Sequence, residues 1–190
     1  KGMYGMFNDA SAFNQPLRLN ASSVDSMGFM FSGARAFTQP LALATSSRVK
    51  SMKFMFYLAS SFNQQLSLDT SSVETMDSMF RGASAFNGPL TLAPTSSVTD
   101  MVAMFNGASA FNQPLSLNTS SVRQMSGMFR EASAFNQPLH LSDTSKSTGM
   151  WEMFLGASVF NQPLSFDTTN VENMGFMFNG ASAFNGPLTL

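Results

Sequence analysis

Cysteine is absent from the 190 residues, which removes disulfides, thiolate nucleophiles and cysteine-based metal sites and leaves the redox compartment open. Charge is scarce as well. Asp, Glu, Lys and Arg make up 11% of the chain, against a usual share of about 25%, so Ser, Thr, Asn and Gln must cover much of the surface. A net charge of −1, from 10 basic and 11 acidic residues, gives no electrostatic pull toward nucleic acid or an anionic membrane. No apolar run approaches the ~18 residues that a membrane-spanning helix needs, and the start at Lys1 is not that of a signal peptide, as in a mature or excised segment. The single histidine, His140, has no acid or nucleophile at a telling spacing, and no P-loop, G-x-S-x-G or H-E-x-x-H is present. An enzyme is not expected, nor a cofactor.

What the chain does have is repetition. Near-copies of GASAFNQPL begin at Asp9, Gly33, Leu58, Gly82, Gly107, Glu131, Gly156 and Gly180. All 16 methionines fall in pairs, from Met3/Met6 to Met174/Met177, and successive pairs are 24, 25, 24, 25, 24, 25 and 24 residues apart. Each second Met is followed by Phe, and another Phe comes six residues later, as in Phe105 and Phe111. The unit reads V-x-x-M-x-x-M-F-x-G-A-S-A-F-N-Q-P-L-x-L-x-T-S-S. Residues 1–190 are expected to form one repeat solenoid, with no linker or second domain.

Two periods alternate inside a unit. Val98, Met101, Met104, Phe105 and Ala108 have the one-sided spacing of a short helical or 3-10 arc. Leu115 and Leu117 point to one face of a short strand entered through Pro114. Thr-Ser-Ser then reads as a turn and helix N-cap. About eight such units stack into a rod on the order of 35–40 Å long, their strands forming a parallel sheet ~4.8 Å per step. The extra residue of alternate units falls in the exposed turn after the strand, near Arg48, at Pro94 and in SDTSKST. Nothing at Lys1 resembles a polar cap and Leu190 stops mid-unit, so the chain reads as a segment of a longer repeat protein, its ends capped by further repeats or by other subunits.

The stretches FNQQLSLDTSSVETMDSMF from Phe62 and FNQPLSFDTTNVENMGFMF from Phe160 resemble the BspA-like leucine-rich-repeat surface proteins, in particular their Met-rich branch. The resemblance covers the whole chain. Leu or Phe stands where the bacterial form often has Trp, in a unit one residue shorter, which resembles repeats of algae and other microbial eukaryotes. The resemblance implies an LRR-like right-handed coil displayed at a cell surface for adhesion or recognition, and no catalytic residues. A structural or linker subunit inside a large assembly, organellar in location, is the alternative.

Four rows of residues could carry function. The Asn row (Asn14, Asn63, Asn87, Asn112, Asn136, Asn161 and Asn185, with Thr38 in the second unit) is expected to satisfy backbone groups of neighbouring units. The outward strand row is Arg18, Ala42, Ser67, Thr91, Ser116, His140, Ser165 and Thr189. It holds no anchor of hot-spot type, and Arg18 and His140 interrupt the flat Ser/Thr array that would suit ice. Asp69 and Asp167, with Asn20 and Asn118 in equivalent places, put no two Asp in adjacent units, so no metal site is expected. The fourth row lies on the Met-Met arc, where outward positions hold large apolar residues: Phe29, Phe54, Tyr57 and Leu58 in one patch, Trp151, Leu155 and Phe176 in another. These are the candidate partner-binding residues, for a protein partner.

Overall fold

A unit this short cannot bury its own apolar face, so its backbone and side chains must find partners in the units before and after it. The computed structural model describes residues 2–43, 46–141 and 143–190, the Ala93 side chain excepted. It shows eight strands, one per unit: β1 (Leu17–Leu19), β2 (Leu41–Leu43), β3 (Leu66–Asp69), β4 (Leu90–Ala93), β5 (Leu115–Leu117), β6 (Leu139–Leu141), β7 (Leu164–Ser165) and β8 (Leu188–Thr189). Each begins directly after the proline of its unit, or after Gln65 in the case of β3.

Pairing is parallel and in register. Leu17 faces Leu41, Leu66 faces Leu90, Leu115 faces Leu139 and Leu164 faces Leu188. The strands do not merge into the one sheet expected from the sequence. They form four two-stranded sheets, β1-β2, β3-β4, β5-β6 and β7-β8. The breaks follow β2, β4 and β6, the strands of the units that carry the extra residue, so the alternation of 24 and 25 residues is also an alternation in pairing. Of the turns expected to hold that residue, Arg48, Pro94 and Lys146 are exposed, and residues 44, 45 and 142 lie outside the described residues.

A second parallel column has no such breaks. Single bridges link Ser26, Ser51, Thr75, Asp100, Gln124, Gly149 and Asn173 in succession, just ahead of the Met pairs.

The arc that follows is not helical, which corrects the helical or 3-10 expectation; among the described residues no helix forms. It is a run of β-turns. Met30, Ser32, Ala34 and Phe37 donate their N–H groups three residues back, to Met27, Phe29, Phe31 and Ala34, at 3.1–3.2 Å. The N–H groups between them, on Met27, Phe29, Phe31 and Gly33, cross to the carbonyls of Ser51, Lys53, Met55 and Tyr57 in the next unit, at 2.7–3.0 Å. Phe29 (φ 57°) and Gly33 (φ 70°) sit in the left-handed region at the third position of alternate turns, the backbone of a type II turn. A helix would return every N–H to its own chain. Here every second one is turned outward to bind the neighbour, and the Val/Met/Phe spacing is kept.

The Thr of Thr-Ser-Ser caps no helix either. Thr70, Thr95, Thr119 and Thr144 are buried, and their hydroxyls donate to the carbonyls of Pro94, Asn118, Asp143 and Asp167 in the following unit. This column spans the places where strand pairing stops.

One core runs the length of the stack. The Phe after each Met pair stacks on its successor at 5.3–5.6 Å. The second Phe column repeats at 5.8–6.0 Å, and within a unit the two rings lie 4.2–4.5 Å apart. From Phe31 to Phe160 both columns are fully buried. Phe7, Phe13, Phe178 and Phe184, each with a neighbouring unit on one side only, are partly buried. No helix among the described residues is long and apolar enough to cross a membrane.

Candidate functional site on the turn face

The turn arcs present the candidate residues on one side of the stack. Each unit has two left-handed positions there. One is the residue before the second Met, held by Gly5, Phe29, Phe54, Ser78, Ala103, Gly127, Glu152 and Phe176. The other follows the Phe by two residues: Asp9, Gly33, Leu58, Gly82, Gly107, Glu131, Gly156 and Gly180. A Cβ in that region costs roughly 1–2 kcal/mol, and bulky residues are rare in it. Four of the seven candidates, Phe29, Phe54, Leu58 and Phe176, nevertheless occupy such positions.

The first patch assembles. Phe29 and Phe54 stack at 4.7 Å and 14°. Tyr57 meets Phe54 edge-on at 5.5 Å, and the Arg81 guanidinium lies 6.0 Å from the Tyr57 ring centroid. Leu58 is 38% exposed. Its Cδ2 sits 2.6 Å from where a Cβ on Gly82 would be, so a side chain at residue 82 would have to push the leucine end aside. Phe29, Phe54 and Tyr57 are half-buried. Tyr4 extends the stripe, 5.4 Å from Phe29. The sequence reading passed over it, although it lies inside a Met-x-x-Met as Phe29 and Phe54 do.

The second patch does not assemble as a ring cluster. Trp151 is 40% exposed, Phe176 61% and Leu155 half-buried, but among the described residues no ring contact joins Trp151 to Phe176. Trp151 lies against Gly175 instead, where a Cβ would stand 3.2 Å from its Cδ1.

Between stripe and tryptophan lies a cavity of about 260 Å³, lined by Arg81, Val102, Ala103, Asn106, Ser126, Gly127, Arg130, Trp151 and Glu152. Glu152 is buried, with φ 54°, and pairs with Arg130. Arg130 also reaches Glu131 at 3.5 Å. Close by, burial pushes the Asp100 carboxyl above its ordinary value, against the Val102 N–H that it accepts at 3.0 Å and with added repulsion from Asp77.

The other rows are structural in detail. Asn14, Asn87, Asn112 and Asn136 accept, through Oδ1, the backbone N–H of the equivalent residue one unit on and the side-chain amide of the glutamine after it. Asn63 and Asn161 accept the backbone N–H of Asn87 and Asn185. The carboxylate row includes a member not expected, Asp143, which the extra residue brings into line, so Asp143 and Asp167 do stand in adjacent units. Each holds the N–H two residues ahead, as Asp69 does: Ser71, Ser145 and Thr169 donate at 2.9–3.0 Å. These bonds keep the carboxyls below their ordinary values, through the hydroxyl and then the N–H for Asp69 and Asp167, and the N–H and then the hydroxyl for Asp143. On the strand face, a shallow hollow of about 470 Å³ opens around His140 between Ser116 and Ser165.

A family model described as "Mycoplasma protein of unknown function, DUF285" matches the chain over residues 1–92, 39–122, 66–165 and 115–190, overlapping stretches that together span it. No curated protein and no solved structure matches.

Proposed function

The chain belongs to the DUF285 family, and from that premise we propose that it is a non-enzymatic repeat scaffold whose turn face binds protein. The stack is a right-handed solenoid of the LRR-like kind, of the Met-rich BspA-like branch in its algal or microbial-eukaryote form, and it works at a cell surface in adhesion or recognition. One observation carries the binding face. Phe29, Phe54 and Leu58 stand in left-handed backbone that Gly holds at the matching places of other units. Folding alone does not call for bulky side chains there, whereas a contact surface does. The partner is a protein segment with apolar side chains for the Tyr4–Leu58 stripe. Arg81 rests on Tyr57 and makes no ion pair among the described residues.

The test compares two variants of the chain displayed on a surface. Phe54→Ser, Tyr57→Ser and Leu58→Ser together are expected to abolish retention of the ligand protein bound by wild type. Ser67→Arg with Thr91→Arg, on the strand face, is expected to leave it unchanged. The reverse pattern would move the binding face to the strands and sink the assignment.

A further inference from the structure

The cavity beside Trp151 has a lining unlike the rest of this chain. In a sequence with 11% charged residues it gathers two guanidinium groups and a buried carboxylate. Glu152 occupies a left-handed position that the preceding unit fills with Gly127. Arg130 binds one oxygen of its carboxylate, and no other hydrogen bond to that carboxylate exists among the described residues. The side chains of Arg81, Asn106 and Ser126 make none either. Ala103 and Gly127 add little bulk to the lining, and Trp151 is its one aromatic residue.

We propose that this cavity is a binding site for a neutral saccharide, holding a single sugar ring or the end of a glycan. Its volume of about 260 Å³ lies below the ~300 Å³ at which pockets for drug-sized ligands begin. Charge selects against ions, because an anion at the arginines meets Glu152 and a cation at Glu152 meets two arginines. A polyol suits the mixture, since each hydroxyl both donates and accepts. Arg81 donates, the free Glu152 oxygen accepts, and Asn106 and Ser126 do both. Trp151 offers an apolar wall for the C–H side of a sugar ring. A peptide is less suited: every second N–H of these arcs is already given to the next unit, so no backbone ladder is open for an added strand.

Trp151 is the only tryptophan in the chain, so fluorescence excited at the indole band reports this cavity alone. Cellobiose, N,N′-diacetylchitobiose and lactose are titrated as neutral probes, with glucuronate, glucosamine and N-acetylglycinamide as charged and peptide-like counterparts. A saturable shift with at least one neutral disaccharide, and none with the counterparts, is expected. Asn106→Ala removes a half-buried side-chain amide that makes no hydrogen bond among the described residues. It is expected to weaken that binding about three- to tenfold, as the loss of one hydrogen bond does, with an unchanged melting curve. No saturable shift with the neutral probes, a shift with the counterparts alone, or equal affinity in Asn106→Ala would each overturn the assignment.

Discussion

At the scale of single residues, the left-handed positions separate side chains kept for folding from those kept at its expense. Phe176 is 61% exposed with φ 57°, so its ring adds little packing while its Cβ carries the left-handed cost. Phe176→Gly relieves roughly 1–2 kcal/mol of that strain and loses about 0.5–1 kcal/mol to the freer glycine chain. Urea unfolding is expected to show no loss of stability, or a gain of up to about 1.5 kcal/mol. The contrasting change is Phe105→Ala, in the fully buried column, which should cost about 3–5 kcal/mol. If both changes destabilise alike, the Phe176 ring is a packing element and not a side chain kept at the expense of folding. Asp100 gives a third case. Its carboxyl is pushed up by burial, so ionisation is harder in the folded state, and the stability it contributes is lost as pH rises from the ordinary carboxylate value through the raised one. Asp100→Asn can still accept the Val102 N–H and carries no charge. It should raise the melting temperature at pH 7 and leave it unchanged near pH 3, which a melt at the two pH values checks. Asp69, Asp143 and Asp167 have the opposite sign. Their lowered values mean that stability present above the ordinary carboxylate range is lost as pH falls through them.

At the scale of the unit, the sequence shows the repeat, the strand after each proline and the purpose of the asparagines. It hides the arc. Val98, Met101, Met104, Phe105 and Ala108 have a spacing that a helix and a chain of turns share, because both bring side chains to one side every three or four residues. The distinguishing signal is the glycine that recurs two places after the Phe, at Gly33, Gly82, Gly107, Gly156 and Gly180. A residue class that favours left-handed backbone, met once per unit, ends a helix wherever it falls. The candidate patch was legible for the same reason that the arc was not. Outward positions follow from the spacing whichever backbone produces it, but whether two rings touch depends on neighbouring turns, which brought Phe29 to Phe54 and kept Trp151 from Phe176. The asparagine row gives the prediction proper to this scale. Asn112 holds the Asn136 N–H and the Gln137 amide, so Asn112→Ala leaves a part-buried donor unmatched and should cost about 1–3 kcal/mol. Asn112→Asp keeps an acceptor and should cost less. Equal losses in urea melts would mean that packing, not acceptance, is what Asn112 supplies.

At the scale of the molecule, the repeat of the sequence and the repeat of the structure differ by a factor of two. The Met-Phe phrase recurs in every unit, whereas strand pairing recurs in every second one, because the extra residue follows β2, β4 and β6. Stability in stacked repeats is close to a sum over units and their interfaces, so the two kinds of interface, with and without strand pairing, should differ in strength. Excising Phe62 through Ala110 removes one whole pair of units and joins Ser61 to Phe111, leaving the alternation intact. Excising Phe62 through Ala85 removes one unit, joins Ser61 to Phe86 and brings two longer units together, so that β5-β6 and β7-β8 remain but one strand of a former pair has no matched partner. The pair deletion should melt in a single transition, with a urea m-value about a quarter below that of the full chain, in proportion to the surface buried. The single-unit deletion buries more surface, yet should have the lower urea midpoint. A midpoint equal to or above that of the pair deletion would show that the two kinds of interface are energetically alike, and that the unit, not the pair, is the element from which this stack is built.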